Sequence, residues 1–106
     1  MEKHIVIIGA GPAGQEAALK ATKLGAKVTL IEKGELGGVC LNCGCIPSKT
    51  WLSCAHEFAS LKEIAKYSTK EQELSGLTAS YDFSKIQERR KNVIMRLKRG
   101  LEFLYK

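Results

Sequence analysis

The chain reads as an α/β fold, a strand–helix–strand unit followed by two further helices, and three observations predict it. Two short runs rich in β-branched residues, His4 to Ile8 and Val28 to Glu32, flank a stretch with helical spacing. Glycines sit where those elements end, at Gly9, Gly25 and Gly34. After residue 44, apolar residues recur only at helical intervals, in two long stretches.

Taken in order, His4 to Ile8 has the character of a strand buried on both faces, as in parallel sheets. Gly9 to Gly14 turn the chain. From Pro12 to Leu24 the residues Ala13, Ala17, Ala21 and Leu24 form an i, i+4, i+8, i+11 stripe, with Pro12 tolerated in the first helical turn and Gly25 ending the helix. Val28 to Glu32 is the second strand, so residues up to 32 make a βαβ unit with parallel strands and a right-handed crossover. Gly34, Gly37 and Gly38 interrupt the pattern. Ser48 to about Ala65 is expected to be helical through Leu52, Ala55, Ala59 and, less regularly, Ile64. Residues 66 to 80 are polar and expected as loop. Asp82 suits the N-cap of a last helix whose buried stripe would be Ile86, Val93, Leu97, Leu101 and Leu104.

Only two strands are convincing, and a two-stranded sheet rarely carries a domain without further elements. The sheet is therefore expected to be incomplete in this chain, as in a fragment of a longer protein or a module completed by another chain. At 106 residues, 44% hydrophobic and 26% charged, the composition allows one modest core. No run reaches the ~18 apolar residues of a membrane span, and the apolar start is too short for a signal peptide, which leads to the expectation of a cytoplasmic protein with no membrane partner. The net charge is +6, and Lys85, Arg89, Arg90, Lys91, Arg96, Lys98 and Arg99 crowd the C-terminal segment. Without aromatic stacking platforms these charges read as a solvated helix face rather than a nucleic-acid surface.

Gly9-Ala10-Gly11-Pro12-Ala13-Gly14 fits G-x-G-x-x-G in the context that gives the motif meaning, after a strand and opening a helix. Gly9 permits the tight turn, Gly11 admits a pyrophosphate close to the backbone, and Gly14 lets helix and strand pack. The helix start offers unpaired N–H groups and a partial positive charge to that anion. Glu32, at the end of the second strand, lies near the ~20-residue offset at which an acid accepts from an adenosine ribose, and it disfavours a 2′-phosphate. This predicts dinucleotide binding without distinguishing FAD from NAD; the plain alternative is a glycine-rich turn with a surface carboxylate.

Four cysteines, at 40, 43, 45 and 54, crowd a short stretch, whereas a stapled secreted domain spreads them. They lack the paired C-x2-C knuckles of structural zinc, so no metal is expected, with a zinc module kept as the weakest alternative. Residues five apart on a regular helix lie ~8.5 Å apart between Cα atoms, beyond the ~7 Å limit of a disulfide. Any Cys40–Cys45 pairing therefore requires a distorted turn, to which Gly44 lends freedom, while Pro47 suits the start of the helix that follows. A Cys40–Cys43 C-x-x-C disulfide is also conceivable. Cys54 reads as a small core residue, His4 and His56 as surface or helix-filling residues, and Trp51 and Phe58 as core or interface packing.

The run Gly37-Gly38-Val39-Cys40-Leu41-Asn42-Cys43-Gly44-Cys45-Ile46-Pro47-Ser48-Lys49 resembles the redox signature of the pyridine nucleotide-disulfide oxidoreductases. Its Leu41 and Ile46 match the family members that oxidise protein-bound dihydrolipoamide; the glutathione and mercuric reductase types usually carry valine at both. The likeness starts at the phosphate turn, is sharpest at the cysteines and fades beyond about residue 60. Cys43 departs from the pattern by placing a third thiol between the pair.

The resemblance implies a partial Rossmann-like FAD-binding domain spanning residues 1–106, the NAD-binding and dimer-interface domains being absent from the chain. It implies Cys40 as the interchange thiol and Cys45 as the thiol beside the flavin. FAD would be held by Gly9, Gly11, Pro12, Ala13, Gly14, Glu32, Lys33, Gly38, Val39, Cys40, Cys45 and Lys49, the last near flavin N5. In the complete protein NAD would accept the electrons, a lipoyl-bearing protein would be substrate, and a second subunit would supply the catalytic histidine. The chain alone is not expected to complete that cycle. The competing expectation is a non-catalytic nucleotide-binding fragment whose cysteines are idle.

Overall fold

The computed structural model describes residues 3–67 and 82–105. Strand β1 (His4–Ile8) leads into helix α1 (Pro12–Lys23) and strand β2 (Lys27–Ile31). The two strands pair in parallel, from His4 opposite Lys27 to Ile8 opposite Ile31, giving the expected βαβ unit. A short helix α2 (Gly38–Asn42) precedes α3 (Cys45–Ala65), and α4 (Phe83–Leu104) runs back along α3. Pro12 occupies the first turn of α1, and Asp82 caps α4 by accepting from the Ser84 N–H at 3.0 Å.

Helix α1 packs on the sheet, and α4 packs on α3 and, more lightly, on α2. The result is elongated, 73 × 25 × 18 Å with a radius of gyration of 20.8 Å, where a compact chain of this length would have ~13 Å. Buried apolar residues are accordingly few among the described residues: Ala10, Ala18, Leu41 and Pro47. No described helix is long and apolar enough to cross a membrane.

This thinness corrects several expectations about burial. Strand β1 is not covered on both faces: Ile5 and Val6 are exposed and Ile8 is 85% exposed, since within the described chain one helix serves a two-stranded sheet. Strand β2 begins and ends one residue earlier than expected, leaving Glu32 just past its end. On α1 the covered residues are Gly14, Gln15, Ala18, Leu19 and Ala21; Ala13, Ala17 and Leu24 face out. Helix α3 starts at Cys45 instead of Ser48, and Leu52, Ala55, Ala59 and Ile64 are exposed, its covered face being Pro47, Thr50, Cys54 and Phe58. Apolar spacing identifies a helix, but the face that is covered depends on which elements stand beside it. On α4, Ile86, Val93 and Leu101 are half-buried as expected, whereas Leu97 and Leu104 are exposed.

Polar pairs join α3 and α4 alongside the half-buried Phe58 and Ile86. Arg89 makes a bidentate pair with Glu57, at 2.8 and 2.9 Å, and Ser53 donates to the same carboxylate at 3.0 Å. Arg90 lies over the Trp51 ring, 5.8 Å from its centroid, and Lys98 pairs with Glu35 in the loop before α2. Three of the seven basic residues expected on a solvated face thus tie α4 to the rest of the chain. Trp51 is 42% exposed rather than core. Helix α3 ends at Ala65, as expected, Lys66 caps it and Tyr67 follows; residues 68 to 80 of the expected loop lie outside the described residues.

Candidate functional site

The glycine turn and the cysteine segment form one structure, joined at Ala10. The Ala10 N–H donates to Glu32 Oε2 at 2.8 Å, and its carbonyl accepts from Gln15 Nε2 at 2.8 Å and from the Gly37 N–H at 3.0 Å. Ala10 itself is 0% exposed. The other Glu32 oxygen, Oε1, accepts from the Gly34 N–H at 2.8 Å. Those backbone N–H groups, Ala10 first and Gly34 second, hold the Glu32 carboxyl below its ordinary pKa, with a smaller push from the Lys33 charge. Each carboxylate oxygen has a second lone pair, so the residue can brace the turn and still accept from a sugar hydroxyl.

Two glycines are dictated by close approach. A Cβ added at Gly14 would stand 1.8 Å from the Gly9 carbonyl oxygen, so α1 could not start against β1 with any other residue there. Gly38, at φ +59, would bring a Cβ to 2.9 Å from Gly11 Cα, which fixes how closely the two turns approach.

The start of α1 fits an anionic phosphate. Its N-cap is Gly11, no side chain caps its first N–H groups, and Pro12 and Ala13 are exposed. Those donors and the helix dipole point at whatever occupies the turn. Gly38 adjoins Gly11 and carries the chain into α2, which bears Cys40, while Val39 beside it is exposed. Lys33 is exposed after β2.

The cysteine segment is broken as the spacing required. Helix α2 ends at Asn42, Cys43 is its C-cap, and Gly44 (φ −117, ψ −107) separates it from α3, where Cys45 is the first residue. Asn42 holds the segment in place, its amide donating to the Leu36 carbonyl at 3.0 Å and the Gly38 carbonyl at 2.8 Å. This break brings Cys40 and Cys45 together. Hydrogen bonding to the Cys45 side chain, followed by partial burial and the charge on Cys45, raises the Cys40 thiol above its ordinary pKa, against a weaker downward pull from Lys49. Cys40 is half-buried and Cys45 exposed, and all four cysteines are free thiols. Cys43 is exposed. Cys54 is half-buried rather than core and lies beside the Arg89 guanidinium.

Gln15 and Asn42 are the clamping residues that sequence reasoning missed. Asn42 was visible only as a letter in the motif, and Gln15 as one polar residue in the first turns of α1. Helix α2 was missed because two glycines precede it, a third opens it and it is five residues long. His4 donates to or accepts from Thr29 Oγ1 at 2.9 Å on the exposed sheet, and His56 is exposed, so neither lies at the cysteines. Among the described residues no three of His, Cys, Asp and Glu are grouped so as to hold a metal ion.

A strand–turn–helix built to receive a phosphate, fused to a pair of apposed cysteines, defines a dinucleotide-linked thiol redox unit. The family described as pyridine nucleotide-disulphide oxidoreductase matches residues 3–106, and the chain belongs to it. Along its whole length the chain is 45% identical to the dihydrolipoyl dehydrogenase of Geobacillus stearothermophilus and 42% identical to that of Staphylococcus aureus. It spans 22% of each of those proteins. A dihydrolipoyl dehydrogenase of Bacillus subtilis is 44% identical over 109 aligned residues, again with 22% of that protein covered.

Proposed function

We propose that the chain is the FAD-binding and redox-disulfide segment of a flavoprotein that oxidises protein-bound dihydrolipoamide to lipoamide, with NAD as the final acceptor. Residues 1–106 are then the N-terminal part of the FAD-binding domain. The NAD-binding domain and the dimer interface belong to the rest of a homodimeric, cytoplasmic enzyme. The observation that carries this reading is the Ala10 junction, which ties the phosphate-type turn to the loop bearing Cys40 and Cys45. The similarity to dihydrolipoyl dehydrogenases along the whole chain supports the choice of substrate.

In this reading Gly9, Gly11, Pro12, Ala13 and Gly14 hold the pyrophosphate and Glu32 the ribose. Lys33, Gly38, Val39, Cys40, Cys45 and Lys49 line the remainder of the cofactor. FAD, when bound, supplies the two-electron acceptor for the Cys40/Cys45 dithiol. A substrate thiolate attacks Cys40 Sγ of the Cys40–Cys45 disulfide; the S–S bond breaks and Cys45 leaves as thiolate. The second substrate thiol then attacks the mixed disulfide, forming the substrate disulfide and releasing Cys40. Lys49 and the N-terminal end of α3 favour the negative charge that appears on sulfur during the exchange. The raised pKa of Cys40 keeps a proton on that sulfur once the substrate disulfide has released it.

The test is to reconstitute the purified chain with FAD, follow flavin absorbance, and titrate with dithionite. Expected is bound flavin with a long-wavelength band on reduction that is absent in Cys45→Ser. Protein that stays colourless after reconstitution would overturn flavin binding by this segment. Bound flavin whose band survives in Cys45→Ser would overturn the role of Cys45.

A further inference from the structure

The third thiol of the cysteine segment has no part in the exchange described above, yet it stands one helical turn from Cys40. Cys43 is the C-cap of α2, and its N–H still donates to the Val39 carbonyl at 2.9 Å, an α-helical bond that keeps it within the last turn. Residues three apart in such a turn have Cα atoms ~5 Å apart on one face of the helix. That lies inside the ~4.4–6.8 Å window of a disulfide. Cys45 is reached by a different route, across the break at Gly44. Cys40 is thus flanked by two candidate partners, one on its own helix and one at the start of the next. Cys43 is exposed, free and open to reaction.

We propose that Cys43 is a third member of the redox centre, exchanging with Cys45 for Cys40, so that the oxidised chain interconverts between a Cys40–Cys45 and a Cys40–Cys43 disulfide. The Cys43 thiol loses its proton to solvent and the thiolate attacks Cys40 Sγ. The Cys40–Cys43 bond forms as the Cys40–Cys45 bond breaks, and Cys45 departs as a thiolate. No electrons enter or leave, so the exchange needs no oxidant beyond the one that made the first disulfide. Effective concentration favours it, because attacker and target share one turn of helix. The consequence is an oxidised form in which Cys45 is a thiol. The inference rests on the proposed redox role of the Cys40–Cys45 pair.

Residues 34–49 form one tryptic peptide carrying all three cysteines, so the pairing can be read at each sulfur. The chain is oxidised with one equivalent of diamide and quenched in acid. Free thiols are blocked with one alkylating reagent; disulfides are then reduced and labelled with a second, and the label at each cysteine is located by fragment-ion mass spectrometry. In the wild-type chain the second label is expected in full at Cys40 and divided between Cys43 and Cys45. Cys45→Ser should move it wholly to Cys43, and Cys43→Ser wholly to Cys45. A Cys43 that keeps the first label in both wild type and Cys45→Ser, with Cys40–Cys45 forming normally, would overturn the exchange alone. Failure of Cys43→Ser to form Cys40–Cys45 would overturn the reading on which it rests. A Cys43–Cys45 disulfide would also overturn the exchange.

Discussion

Two interfaces in this chain are built in opposite ways. Within the phosphate-type turn and where it meets the cysteine segment, backbone touches backbone: Gly14 against Gly9, Gly38 against Gly11, and Ala10 hydrogen-bonded through both its N–H and its carbonyl. Where α3 meets α4, long side chains do the joining, through Arg89 with Glu57 and Arg90 over Trp51. The first interface has no slack, because a missing Cβ cannot be supplied by a rotamer change. The second is adaptable, half in water, and each of its contacts is individually weak. Position at the site is therefore set by the backbone interface, while the helical hairpin gives the chain length and support.

Substitutions should separate the two, and the largest effect is expected at Gly14. Gly14→Ala puts a methyl 1.8 Å from the Gly9 carbonyl, which no flexible neighbour can relieve. The expected loss is ~3 kcal/mol or more in a urea titration, together with loss of flavin binding. Native-like stability in Gly14→Ala would show that the turn has slack after all.

An intermediate effect is expected at Glu32. In Glu32→Gln one of the two backbone donors, Ala10 or Gly34, must face an NH2 group instead of an acceptor. Because the folded carboxyl is held below its ordinary value of 4.5, its contribution to stability is complete above that value. It is lost as pH falls through the lowered one. Wild type and Glu32→Gln should thus differ in urea midpoint at neutral pH and converge in acid. A difference that is independent of pH would sharpen the comparison against a charged brace.

The smallest effect belongs to the hairpin. Arg90→Ala removes the cation above an exposed Trp51, for an expected ~0.5–1 kcal/mol and no change in flavin affinity. A loss as large as that of Gly14→Ala would erase the distinction between the two interfaces.

The same contrast explains what could be read from the sequence. The Gly9–Gly14 turn with Glu32 beside it, and the Cys40/Cys45 pair, were legible because a positive φ at Gly9 and a close backbone approach at Gly14 favour glycine, an acid follows the second strand, and a thiol reaction needs cysteine. The βαβ order and the Asp82 cap were legible for similar local reasons. The faces of α3 and α4 were not: an arginine that grips Glu57 has the same sequence appearance as one in water. Leu52, Leu97 and Leu104 satisfied helical spacing while pointing away from the neighbouring helix. Gln15 and Asn42 escaped notice because an amide clamp has no spacing rule of its own.

Ala10 ties three parts of the chain together. Its N–H is tied to the end of β2 through Glu32, and its carbonyl to α1 through Gln15 and to the cysteine loop through Gly37. A ligand seated on the turn that stiffens this residue lowers the entropy of the loop that carries the thiols, and by linkage a change in that loop alters the affinity of the turn. In the proposed reading, occupancy of the nucleotide site and the oxidation state of Cys40 are thus linked through one residue, whose N–H and carbonyl lie in the two amide planes on either side of its Cα, and each can be read as a reporter of the other.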